Sequence, residues 1–308
     1  MKKYLALSLV TLGIVTLTAC GPAEDESSPS APFSLPPQDS FVLDFNGINS
    51  AQSKAISDAL SYYDYSDAPM SKVIQDYSDS APSHAALDGV GNHAFAGARV
   101  LGWSVATALG TAIPIASFQE AFRHKPTSLG DGRWQWAYSV TVLFVRYNAK
   151  LIGHLEGEQL QWEMYLSRAD GTFTDVNWYS GTHDIGVTAG SWTLRKLIDG
   201  STTETTDVIA IDWQRDTVAG TRNIRYTNLA DNGYIENGIS TATDYNAYFN
   251  IDNQVLPAVI NIEWNNINKD GRVKSSNTTA PTHFGHADWN CWQGTDDATP
   301  YADVACTP

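Results

Sequence analysis

From Gly132 the apolar residues of this chain recur with a period of two, and that period holds to about residue 265. Trp134, Trp136, Tyr138, Val140, Val142 and Phe144 alternate with Gln135, Ala137, Ser139, Thr141 and Leu143. Successive side chains of a strand point to opposite faces, so this pattern predicts a sheet with one apolar face. Further strand segments fall at 147–156, 159–167, 173–180, 191–197, 207–214, 223–229, 234–240, 244–251 and 257–265. Asp170-Gly171, Asp199-Gly200, Asn232-Gly233 and Asp270-Gly271 stand between them as hairpin signals. Connections this short exclude parallel crossovers and require antiparallel neighbours. The expectation is a long antiparallel meander, curved into a half-barrel or barrel-like form because so many strands rarely stay open and flat. Val145–Asn148 forms either a corner between two strands or a bend in one.

The residues before the meander follow another pattern. FVLDF at 41–45 predicts a short strand, and 50–63 and 70–77 predict short helices. The segment 94–122 contains the most apolar helix: no charge occurs in the nineteen residues from Val100 to Phe118. That length would serve a membrane span. Arg99 and Glu120 bound it closely, Pro114 interrupts it, and Gly, Ala, Ser and Thr fill it, which fits a buried helix better. The sheet is expected to wrap around it. The resulting fold class is α+β, a single domain over 41–308, mainly helical at 41–131 and mainly antiparallel strands at 132–308.

The first twenty residues carry an address. Lys2 and Lys3 precede an uncharged apolar run from Tyr4 to Leu17, the n-region and h-region of an export signal. The run closes with Leu17-Thr18-Ala19-Cys20-Gly21, which resembles the lipobox of bacterial lipoprotein precursors. The resemblance covers only this signal. It implies cleavage before Cys20, a diacylglycerol on its sulfur and usually a third acyl chain on its nitrogen; without Asp after the Cys, the outer membrane is the implied destination. Several acyl chains make a stable anchor where one would not. Residues 1–19 are then the signal peptide and 20–40 a flexible Pro/Ser tether. In an oxidising compartment the remaining pair, Cys291 and Cys306, reads as a disulfide.

Charge narrows the partners. Lys plus Arg is 19 against 34 for Asp plus Glu, a net −15 that becomes −17 when cleavage removes Lys2 and Lys3. Such a chain does not suit nucleic acid or anionic headgroups as a docking partner. The membrane is reached through the lipid instead.

Several constellations bear on chemistry. His283, His286 and Asp288 have a spacing metals can use, but a surface loop beside the disulfide explains them better. Asn266–Gly271 imitates the start of a calcium loop but lacks its Glu, and reads as a hairpin turn. Glu163, Asp175, Asp212 and Glu263 lie on the non-aromatic face, where acids normally form a solvated surface; two of them 5–9 Å apart in a cleft would allow glycoside hydrolysis. No nucleophile elbow and no phosphate loop occurs, and no cofactor is expected. The candidates for lining a ligand cavity are Trp103, Trp134, Trp136, Trp162, Trp213 and Trp264. The predicted function is a non-enzymatic envelope lipoprotein facing the periplasm or exterior, binding an apolar or amphiphilic ligand in the curve of the sheet. It is similar in outline to half-barrel lipoproteins that carry or sense lipids, a likeness of architecture alone. A surface carbohydrate-binding lipoprotein is the alternative, and a secreted hydrolase a third reading.

Overall fold

The computed structural model describes residues 31–43, 91–97, 99–100, 107, 111–142, 144–239, 244–253, 258–277, 288–294 and 301–306. Fourteen strands form one antiparallel sheet in strict chain order. They are β1 Thr127–Gly130, β2 Arg133–Val142, β3 Val145–Glu156, β4 Gln159–Arg168, β5 Val176–Asp184, β6 Ala189–Leu197 and β7 Thr205–Asp216. The second half comprises β8 Thr221–Asn228, β9 Tyr234–Ile239, β10 Ala247–Asn253, β11 Ala258–Asn265, β12 Asp270–Asn277, β13 Asn290–Gly294 and β14 Tyr301–Val304. The meander is as the alternation predicts, but it is not closed: β1 and β14 are its two edges. Among the described residues helix is a minor component and one large β-sheet makes up most of the fold.

The strongest constraint on the sheet comes from cross-strand rungs that only the register reveals. On the apolar inner face Trp134, Gly153, Trp162, Gly181 and Trp192 stand opposite one another in turn on β2 to β6. The adjacent rung runs His183, Gly190, Trp213 on β5 to β7, and Trp264, Gly271, Trp292 repeats the alternation on β11 to β13. Each glycine makes room for an indole. A Cβ at Gly153 would lie 2.5 Å from the Trp162 ring, and one at Gly190 would lie 2.6 Å from Trp213. Cβ atoms at Gly181 and Gly271 would collide with Trp192 and Trp292. Indoles facing glycines cover the bare backbone and pin the register.

Two apolar clusters occupy this face. The larger joins the inner residues of β2 to β8 with Phe41 and Phe118; the smaller joins β9 to β13 with Phe95, Ala96 and Val100. Helical residues 92–97 and 99–100 (α1) belong to the second, and α2 (Ala112–Ala121) belongs to the first, packed on β2 and β3.

Several expectations are corrected. The single apolar helix over 94–122 is not what the described residues give. Thr111 leaves helical geometry at φ −110° and ψ 7°, and α2 starts afresh with Pro114 in its first turn, where a missing N–H costs nothing. Residues 101–106 and 108–110, with Trp103, lie outside the described residues, as do the helices expected at 50–63 and 70–77. Among the described residues no helix is long and apolar enough to cross a membrane. The strand expected at 41–45 begins instead as the end of a 3-10 turn, Gln38–Phe41. The tether expected up to residue 40 is, from Ala31, laid on the inner face, with Ala31, Phe33 and Leu35 packed on the large cluster. Phe144 does not continue the alternation: β2 and β3 form a tight hairpin closed by Val142 opposite Val145, and Phe144 sits in its turn at φ +67°, fully exposed. Asp270-Gly271 is no turn either. The turn precedes it, with Lys269 at φ +59°, and Gly271 is strand backbone beneath Trp292.

Candidate functional site

Residues 31–43 form a strap across the inner face, and its contacts define the site. Phe41 is fully buried, its ring 4.5 Å from Trp192, 5.0 Å from Phe118 and 5.3 Å from Tyr179 between centroids. Its carbonyl accepts from the Tyr226 hydroxyl, while Trp192 Nε1 donates to Ser40 Oγ at 3.2 Å. Asp39 pairs with Arg222 at 3.2 Å. Residues 39–41 are thus nailed down. The stretch before them is held more lightly: Phe33 meets Trp162 edge-on at 5.7 Å and Trp136 at 6.5 Å, and both Phe33 and Leu35 are only partly buried.

Beside Phe33 lies a belt of three rings. Trp162 and His183 stack at 5.9 Å and 15°, and His183 is 6.4 Å from Trp213. All three are buried. His183 Nδ1 is 2.7 Å from the Asp184 carbonyl, which can only accept, so Nδ1 carries the proton. Burial pushes the imidazole below its ordinary pKa, more than the Asp184 carbonyl and carboxylate raise it, and Arg215 lowers it further. His183 is therefore neutral at pH 7, with Nε2 a bare acceptor. His183 Nε2, Trp162 Nε1 and Trp213 Nε1 are buried, and none has a hydrogen-bond partner among the described residues. An unsatisfied buried polar group costs about 1–3 kcal/mol, so each of the three in the belt calls for a partner. A cleft of about 20 Å³ opens next to it, lined by Asp39, Ser40, Val42, Trp213, Arg215 and Arg222. It has room for about one water. No family model, curated protein or solved structure matches this chain.

The candidates from sequence are distributed as follows. Trp136, Trp162 and Trp213 belong to the larger core, Trp264 belongs to the smaller, and Trp134 is partly buried against the larger. Of the described candidates, Trp162 and Trp213 belong to the belt, each beside His183. Sulfur atoms of Cys291 and Cys306 stand at bonding distance, 2.03 Å, joining β13 to the residues after β14. Cys20, His283 and His286 lie outside the described residues. Asp288 is described only as a turn whose carbonyl accepts from Asn290 Nδ2 at 2.7 Å. No group of three metal-ligating side chains occurs among the described residues.

The four carboxylates lie on the outer face and do not converge in register. Asp175 meets Lys150 at 2.5 Å and Glu263 meets Arg272 at 2.6 Å. Asp212 stands opposite Ser191 and Arg225, and Glu163 opposite Ile152 and Ser180. The same face carries rings stacked with cations: Arg225 lies 3.7 Å from the Tyr234 centroid, and Arg272 lies 4.8 Å from Tyr245 and 4.3 Å from Trp289.

Sequence reasoning missed His183, which belongs to no motif. The signal was present, because Tyr179, Gly181 and His183 share the core alternation of β5. It also missed the strap, since prolines and serines concealed the inward period of Ala31, Phe33 and Leu35.

Proposed function

We propose that this protein is a non-enzymatic, lipid-anchored envelope protein that binds an amphiphilic ligand on its inner face, between the strap and β2 to β7. One observation carries the reading: an aromatic bed holds three unpaired ring nitrogens, and its Trp162 lies against Phe33 in the lightly held end of the strap. An apolar bed takes an acyl or similar chain, and a polar ring atom fixes its head. The strap begins at Ala31, eleven positions after Cys20, so lipidation at that residue would keep the site close to the membrane from which such a ligand would come. The test is extraction of the protein purified from the envelope, followed by mass spectrometry of the released small molecules. A stoichiometric amphiphile is expected, and it should be lost when Trp162 is changed to Ala. Recovery of nothing but bulk membrane lipid in membrane proportions would overturn the reading.

The outer face supports a second reading. Tyr234, Tyr245, Tyr248 and Trp289 are partly exposed among Glu236, Glu263, Arg225 and Arg272, with Tyr248 donating to Glu236 at 3.0 Å. Rings set among fixed polar groups suit a sugar. Retention on immobilised polysaccharide that Trp289→Ala abolishes would support it, and the inner-face ligand would then be structural.

A further inference from the structure

The polar atoms of the belt differ in kind, and their arrangement selects among amphiphiles. Trp162 Nε1 and Trp213 Nε1 can only donate. His183 Nε2 can only accept while Nδ1–H is held by the Asp184 carbonyl. A group that satisfies both kinds must itself donate and accept. A carboxylate or a phosphodiester has no proton to give, and would bring its charge against the Nε2 lone pair inside a buried belt, where an unpaired charge is heavily penalised. An ester or alkyl chain offers nothing to Nε2. An alcohol hydroxyl is the simplest group of both kinds, with a proton to donate to the imidazole and lone pairs to accept from an indole.

We infer that the head recognised at the Trp162–His183–Trp213 belt is a neutral hydroxyl, so that the ligand is an uncharged hydroxylated amphiphile of the monoacylglycerol or long-chain alcohol type rather than a fatty acid or a phospholipid. This rests on the inner-face reading above and adds the chemistry of the head. The chain of the ligand takes the place of Phe33 and Leu35, which are the partly buried part of the strap, while Asp39, Ser40 and Phe41 stay pinned. Phe33 packs edge-on against Trp162, so lifting it uncovers the Trp162 end of the belt.

The test uses the whole mature chain with Cys20→Ser, so that no acyl group of its own competes. Three probes share one brominated C18 chain: the glycerol monoester, the free acid and the methyl ester. Bromine quenches tryptophan on contact, and titration reads the affinity of each. The monoester should bind about tenfold more tightly than either of the others, the worth of one or two buried hydrogen bonds. His183→Phe should retain chain binding and lose that preference. His183→Gln, whose amide oxygen still accepts, should keep part of it and guards against a folding defect in the first variant. Equal or tighter binding of the free acid, or a preference that persists in His183→Phe, would overturn the inference and leave the inner-face reading standing. Quenching by none of the three would sink both.

Discussion

His183 and the rung glycines carry the sharpest consequences at the scale of single residues. A histidine whose pKa is lowered by burial binds fewer protons folded than unfolded between its folded value and about 6.5. Stability contributed by keeping it neutral is complete above that ordinary value and declines as pH falls toward the folded one. Asp184 and Arg215 are the charged groups that act on it. Melting measured from about pH 7.5 down to about pH 5.5 should therefore drop further in the native chain than in His183→Phe, and equal drops would show that the imidazole does not titrate through folding. The glycines behave differently among themselves. Gly181→Ala places a methyl against the Ser191 carbonyl and Trp192, neither able to move freely, and should cost about 2 kcal/mol or more in chemical denaturation. Gly132→Ala meets open space and only the strain of φ +74°, so about 1 kcal/mol is expected. A reversed order would mean that the rung is looser than its register indicates.

Elements differ in how they are held, and the C-terminal pair is the clearest case. The Cys291–Cys306 link closes a separation of 15 residues around β14, worth about 3 kcal/mol in the chain-entropy view. Replacing both by Ser should raise amide exchange in β13 and β14 while β2 to β8 stay protected, because the larger cluster does not include them. Fast exchange throughout would make the link a global support. What could be read from sequence divides along the same lines. β2 to β11 were legible because each presents its own alternation. β12 to β14 were not: Asp270-Gly271 imitated a turn, and NCWQG and YADV are too short to show a period. The strap was illegible for another reason. Proline, serine and acids describe a solvated tether, and only the indoles of β4 and β6 explain why Phe33 and Phe41 do not stay in water. The two tryptophans that meet at the belt were named beforehand, but their meeting through His183 depends on register, which no single strand contains.

For the whole molecule the two clusters and the anchor matter most. One continuous sheet carries two cores, so damage to one should reach the other late. Phe118→Ala removes a fully buried ring at a cost of about 3–5 kcal/mol. It should speed exchange across β2 to β8 before β9 to β12, and simultaneous loss would show that the sheet melts as a single unit. Cys20→Ser should release the protein from the membrane fraction, and unchanged fractionation would refute the lipoprotein assignment. Ten residues separate Cys20 from the strap at Ala31, and the eleven steps span about 40 Å at full extension. An anchored molecule is thus confined to a thin shell above the bilayer. The alternating rungs also have an optical consequence. Trp134, Trp162 and Trp192 sit at every second strand of one rung, about 10 Å apart at ordinary strand spacing. Trp136 adds an indole 5.6 Å from Trp162 and tilted 49° to it, so light absorbed at one ring is radiated from another of different orientation. The native emission should be strongly depolarised even in frozen solution, and should regain polarisation when the rung comes apart, giving the sheet an intrinsic reporter of its own assembly that needs no label.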